Sequence, residues 1–252
     1  MHFTVLLLVV LFYVLPFNRM TQNIFSLNTF LNGQLLLINK PYGWSSFDVV
    51  KKIKYLICKK YNIKKIKVGH AGTLDPLATG LLIVCTGKFT KKLSELQSQS
   101  KTYMGTITLG GATASYDLET KIDNNYNTSH ITEKSIYATT KKFIGKIYQK
   151  PPIFSALKNN GERLYEKARR GEKVVIKSRM VFVEKFNIIS IEKLNINFKI
   201  KCSKGTYIRS IANDFGIELN SGAHLSKLCR TAIGKHQLTE AMDIKCFENF
   251  LK

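Results

Sequence analysis

Asp75 is the single carboxylate in the stretch Gly69-His70-Ala71-Gly72-Thr73-Leu74-Asp75-Pro76-Leu77-Ala78-Thr79-Gly80, which runs directly into apolar Leu81-Leu82-Ile83-Val84-Cys85. Glycines, a proline and then a strand-like apolar run describe a rigid loop leaning on a sheet. Between Tyr61 and Ser94 there is no other Asp or Glu, while Lys64, Lys65, Lys67, Lys88, Lys91 and Lys92 surround the loop. A lone acid in a basic setting should stay ionised, and an ionised carboxylate can act as nucleophile or base. Asp-Pro is also an ordinary turn starter, so residue types alone leave both readings open. A phosphate loop does not fit. Six residues separate Gly80 from Gly87-Lys88 where four are needed, and Phe89 stands in place of Ser or Thr.

A second candidate follows from helix electrostatics. In Ser203-Lys204-Gly205-Thr206-Tyr207-Ile208-Arg209-Ser210, Thr206 can cap a helix running to Leu219 with Ile208, Ile211, Ala212 and Phe215 inward. Arg209 in its first turn opposes the helix dipole and calls for a carboxylate or phosphate partner.

Several elements must position these groups. Leu35 to Ile38 reads as a buried strand. Ser45 or Ser46 caps a helix whose apolar residues are Phe47, Val50, Ile53 and Ile57, and Lys88 to Leu96 forms a short helix. Lys101 to Gly110 alternates as a half-exposed strand with Tyr103, Ile107 and Leu109 on one face. Asp123 to Thr128 is a polar loop and Thr132 to Phe143 an amphipathic helix. Pro151-Pro152 interrupts regular structure before a charged helix from Gly161 to Gly171. Met180 to Ile191 and Leu194 to Cys202 are strands.

The chain has 252 residues and a formal net charge of +22, which suits a polyanionic partner, nucleic acid ahead of membrane surface. Its richness in Lys, Asn and Ile is also what an A+T-rich genome would produce. The five cysteines are odd in number and scattered, and the five histidines have no ligand-type spacing. They read as the reduced thiols of a cytoplasmic protein with no metal implied. Phe3 to Leu15 is uncharged but shorter than the roughly 18 to 20 residues that span a bilayer. It also lacks a basic start and a small-residue cleavage site. Residues 1–19 therefore read as an extension or a misassigned start, with the working chain beginning near Met20 and no membrane role.

Taken together, the ordered motifs resemble the TruB-type tRNA pseudouridine synthases. GHAGTLDPLATGLLIV is similar to that family's active-site motif. Asn39-Lys40-Pro41-Tyr42-Gly43-Trp44-Ser45-Ser46 matches its opening motif, and Lys101-Thr102-Tyr103 with Leu109-Gly110 its second. Ser203 to Ser210 matches a third, and Gly222-Ala223-His224-Leu225-Ser226-Lys227-Leu228-Cys229-Arg230-Thr231-Ala232-Ile233-Gly234 its last core motif. The resemblance implies an α+β pseudouridine synthase fold, with a mixed, mainly antiparallel sheet flanked by helices and the active-site cleft across it. It implies one catalytic unit from residue 20 to 252, with an RNA-clasping insertion around 123–180. The activity implied is cofactor-free isomerisation of uridine to pseudouridine in the T-loop of tRNA, at position 55, by a monomer binding the T-arm.

By the same resemblance Asp75 is the catalytic nucleophile, and Arg209 pairs with it and lowers its pKa. Tyr103 stacks on the target base and serves as a proton acceptor, Tyr207 and Leu228 border the uracil pocket, and His70 fills the gap left by the flipped base. Lys158, Arg163, Arg169 and Arg170 of the insertion, together with Arg230, are the implied RNA contacts. Cys229 departs from the family's usual arginine, leaving Arg230 as the nearby cation. The chain ends soon after the last motif, without the C-terminal RNA-binding domain of many bacterial relatives. The readings from other classes are a non-catalytic tRNA-binding or RNA-folding protein on the same scaffold, and a membrane-anchored protein using residues 3 to 17.

Overall fold

Alternating burial builds the centre of the molecule. In the computed structural model, which describes residues 25–252 apart from Asn160 and Lys173, β11 (Asn195–Cys202) buries Ile196, Phe198, Ile200 and Cys202 and turns Asn195, Asn197, Lys199 and Lys201 away. It pairs antiparallel with β4 (Lys101–Leu109) and β10 (Arg179–Glu192). The main sheet runs β1 (Leu35–Lys40), β3 (Ala78–Thr86), β12 (Ala223–Ile233), β4, β11, β10, β7 (Gly145–Gln149). β2 (Val68–His70) adds to β3, and β13 (His236–Gln237) to β12. Every pairing in this sheet is antiparallel except β12 with β3. Small two-stranded sheets join β5 (Gly111–Thr113) to β6 (Ile122–Asn125), and β8 (Lys158–Asn159) to β9 (Glu162–Arg163).

Helices cover the sheet where it is apolar. α1 (Leu27–Asn32), α2 (Ser46–Lys60) and α7 (Ile244–Phe250) pack on one face of β1 and β3, burying Phe30, Ile38, Ile53, Ile57, Leu82 and Val84. The opposite face of β3 buries Leu81, Ile83 and Cys85 with Leu96 of α3 (Leu93–Ser98). A strand covered on both faces explains the continuous apolar run. The larger core lies between β4, β10, β11, β12 and the helices α4 (Glu133–Lys142) and α6 (Ile208–Glu218). Phe186 sits at its centre, 5.8 Å from both Phe198 and Phe215 and 6.5 Å from Phe143. α4 and β7 belong to this core and sheet, and of the stretch 123–180 the residues between β7 and β10 lie outside the main sheet. There α5 (Leu164–Arg169) completes the described helices.

Local expectations are met unevenly. Ser45 caps α2 in a reciprocal capping box with Asp48, but Phe47, expected on the buried face, is 60% exposed while Val49 takes the core position. Residues 87–92 wind as a 3₁₀ turn ahead of α3. The expected helix from Gly161 to Gly171 is shorter. Gly161, at φ +83°, turns a tight hairpin that only glycine enters without strain, and helix resumes at Leu164. Thr206 does not cap α6: its hydroxyl donates to Ser203 O at 3.0 Å, and Tyr207 is the cap residue without a side-chain bond. Among the described residues no helix is long and apolar enough to cross a membrane. The stretch read as residues 1–19 lies outside the described residues.

Candidate active site

The loop between β2 and β3 is bolted from three sides. Ser46, at the start of α2, donates to Leu74 O at 3.0 Å and accepts from Leu74 N at 2.8 Å. Lys40, at the end of β1 and fully buried, donates to Pro41 O, Trp44 O and Pro76 O at 2.9, 2.5 and 3.2 Å. Burial drives its ammonium down to about 8, opposed by the nearby Asp75 charge. From β12, Arg230 donates to Leu81 O at 2.8 Å, Gly72 O at 3.0 Å and Thr73 O at 3.4 Å. Gly80 lets β12 come this close: at φ +102°, a Cβ there would lie 2.4 Å from Arg230 O.

Asp75 sits at the tip of the clamped loop. Arg209 Nη2 donates to its Oδ1 at 3.1 Å, and Nε lies 2.9 Å from Oδ2. The arginine is 3% exposed and also donates to Ser115 O at 3.0 Å and Phe154 O at 2.9 Å. It thereby ties the loop carrying Asp75 to the turn at Ser115 and to the segment that follows β7. Its position in the first turn of α6 is compensated by carboxylates, as the dipole argument required.

There are two such carboxylates. Asp117 Oδ2 lies 3.5 Å from Arg209 Nε. Asp117 is buried and its Oδ1 accepts from Ser115 Oγ at 2.6 Å and Glu119 N at 3.0 Å. Sequence reasoning gave Asp117 no role. An Asp followed two residues later by an N–H it can accept is the signature of a local Asx turn, and that local bond hides its long-range partner.

Burial raises the Asp75 pKa above the ordinary carboxylate value. Arg209 pulls against this, Asp117 adds to the rise, and Lys40 opposes it. The expected net lowering is thus corrected: the arginine does pull downward, but desolvation outweighs it.

The remaining expected residues converge on a cleft of about 610 Å³ lined by His70, Asp75, Tyr103, Tyr207, Arg209 and Leu228. Tyr103 reaches it from β4 and is 8% exposed. Burial raises its phenol pKa, with Arg230 opposing. Leu228 stands opposite Gly105 on β4 and Ala78 on β3. Tyr207 is held through its backbone by Gln149, which accepts from its N at 2.7 Å and donates to its O at 2.9 Å. Arg179 stacks over its ring at 4.8 Å, a rim cation that sequence reasoning missed. His70 ends β2, and burial lowers its pKa, favouring the neutral imidazole.

The expected RNA contacts divide. Arg163 is exposed, and Arg169 is 66% exposed beside Glu119 at 3.6 Å. Arg170 is engaged by Glu162 at 2.5 Å and Glu172 at 2.7 Å. The side chain of Lys158 lies outside the described residues. Arg230 is a correction: it is 1% exposed and its guanidinium is committed to loop carbonyls, so its place is under the loop and not against RNA.

A chain of a Cbf5-Nop10-Gar1 complex shares the fold with a TM-score of 0.65 and 26% identity, over 90% of this chain and 57% of that one. A chain of an H/ACA RNP bound to a substrate RNA containing 2'-deoxyuridine gives a TM-score of 0.64 at 24% identity, over 91% of this chain and 56% of that one. The fold is that of a pseudouridine synthase. Residues 59–208 match the model of the TruB family pseudouridylate synthase (N terminal domain), and the chain belongs to that family. It is 57% identical over 224 residues to tRNA pseudouridine synthase B of Flavobacterium johnsoniae, covering 88% of this chain and 98% of that one. It is 47% identical over 222 residues to the protein of the same name from Phocaeicola vulgatus, covering 88% and 94%.

Proposed function

We propose that this chain converts uridine to pseudouridine in the T-loop of tRNA, with Asp75 as the group that attacks the nucleoside. The observation that carries the reading is a carboxylate at the tip of a clamped loop, facing an open cleft and backed by a buried arginine. The reaction breaks the N1–C1′ bond and forms C5–C1′. C5 gives up a proton and N1 gains one, so there is no net redox change, and the chemistry calls for neither metal nor organic cofactor.

Asp75 acts on the sugar or the base, or removes a sugar proton, and Arg209 orients it and offsets its charge as the carboxylate is consumed and restored. Tyr103 stacks on the extruded uracil and accepts the C5 proton late in the reaction. Its raised pKa makes the phenolate scarce and strongly basic. Tyr207 and Leu228 enclose the base, and neutral His70 fills the space it leaves in the RNA. Arg163 and Arg169, with Lys158, take T-arm phosphates. The enzyme works as a monomer in the cytoplasm, where its substrate is. A non-catalytic RNA-binding role gives no reason to bury Asp117 and Arg209 against Asp75, an arrangement whose desolvation is costly.

The test is release of tritium from a tRNA transcript carrying [5-³H]uridine. One equivalent per tRNA is expected, and none from Asp75→Asn. Release from neither wild type nor variant, with tRNA bound by both, would reject the reading.

A further inference from the structure

The outer face of α2 is used by nothing described so far, and its composition is not that of an ordinary solvated helix. Phe47 and Tyr55 are 60% and 55% exposed. They alternate at four-residue spacing with Lys51 and Lys59, along one ridge of the helix. Lys51 Nζ sits 5.0 Å from the Phe47 ring centroid, and Lys59 Nζ 5.9 Å from that of Tyr55. Lys54, also exposed, flanks the ridge. None of these three lysines pairs with a carboxylate among the described residues, whereas the neighbouring Lys52 faces Glu248 at 3.5 Å. From Phe47 to Lys59 the ridge runs about 18 Å. Its near end is fixed to the cleft, because Ser46 holds Leu74, the residue before Asp75, by two hydrogen bonds.

We propose that this face of α2 is a second RNA-binding surface, which takes the sugar–phosphate backbone of the substrate RNA where it leaves the cleft. The proposal rests on the RNA-modifying function above. Three ammonium groups without a close ion pair complement a polyanion, although Asp48 one turn away is in electrostatic reach of Lys51, and the aromatic rings hold two of them in place. The exposed rings add flat surfaces for any unpaired base. A membrane surface fits less well. The helix's Ile53, Leu56 and Ile57 are all buried, so the outer face has no contiguous apolar strip to insert, and each aromatic is already faced by an ammonium.

The experiment compares wild type with the triple variant Lys51→Gln/Lys54→Gln/Lys59→Gln and with the charge-keeping Lys51→Arg/Lys54→Arg/Lys59→Arg. Binding of an unmodified tRNA transcript is measured by filter retention from about 50 to 200 mM salt. The Gln variant should weaken binding by roughly 100-fold at the low-salt end and flatten the log Kd against log salt slope by about 2–3, while the Arg variant keeps the wild-type slope. Matched thermal melts exclude misfolding, to which exposed helix positions are insensitive. An unchanged slope in the Gln variant overturns the proposal. So does loss of binding to phosphatidylglycerol vesicles with tRNA binding intact, which would assign the face to membrane. Tritium release by wild type is read separately. Its absence would reject the proposed reaction, and the slopes would still decide the surface.

Discussion

Arg230→Met separates a cation that holds the loop from one that touches RNA. Methionine matches the length of the arginine stem and removes the guanidinium that donates to Leu81 O at 2.8 Å and Gly72 O at 3.0 Å. Charge-assisted bonds to buried carbonyls are worth about 1.5–3 kcal/mol each, and relief of burying the charge offsets part of their loss. The net destabilisation should be about 2–4 kcal/mol. For a chain of this size that corresponds to a fall in Tm of roughly 4–16 °C. Below the transition the freed loop should displace Asp75, and misplacement of about 1 Å costs on the order of 100-fold in rate. Calorimetry, tritium release and tRNA binding against salt report the three quantities. The expected pattern is lower Tm, lower kcat and an unchanged salt slope. An unchanged Tm with the slope reduced by about 1 would show a phosphate contact instead and refute the clamp.

Three other outcomes follow from the same geometry. Because burial raises the Asp75 pKa, the acid limb of kcat/KM should rise with unit slope through a value above the ordinary 3.8, as a pH–rate profile will show. The folded state then binds the extra proton between the unfolded and folded pKa values. Stability from this group therefore declines as pH rises through that window, and Asp75→Asn should abolish the decline in pH-dependent denaturation. Tyr103→Phe keeps the ring and removes the oxygen. Binding of tRNA should hold while turnover falls by about 100-fold or more, whereas Tyr103→Ala should weaken both. Gly80→Ala forces a side chain at φ +102° into Arg230 O. It should cost more than about 1 kcal/mol and lower the denaturation midpoint without changing the wild-type salt slope.

Much of this architecture was legible where a local rule and the tertiary fold agree. The alternation of β4 and β11 is written in periodicity, the start of α2 in its capping serine, and β3 in its continuous apolar run. The Asp75–Arg209 pair was half legible: the helix dipole demanded an anion for Arg209 without saying which. Asp117 was not legible, because its local hydrogen bonds make an ordinary turn, and only the fold brings it to the same arginine. Arg230 was expected against RNA, because nothing in a strand's sequence reveals that its side chain runs beneath a loop. Phe47 lies at a helical period and yet faces outward. The direction of the Asp75 shift depends on how much protein covers it, which no linear pattern contains.

The central claim is that Asp75 carries uridine isomerisation in tRNA. The most direct measurement incubates the purified protein with an unmodified tRNA transcript and maps pseudouridine by carbodiimide labelling and primer extension, with Asp75→Asn alongside. A single new stop at the T-loop uridine with wild type and none with the variant is the predicted result. A stop that persists with Asp75→Asn, or tight tRNA binding with no stop from either protein, would contradict it.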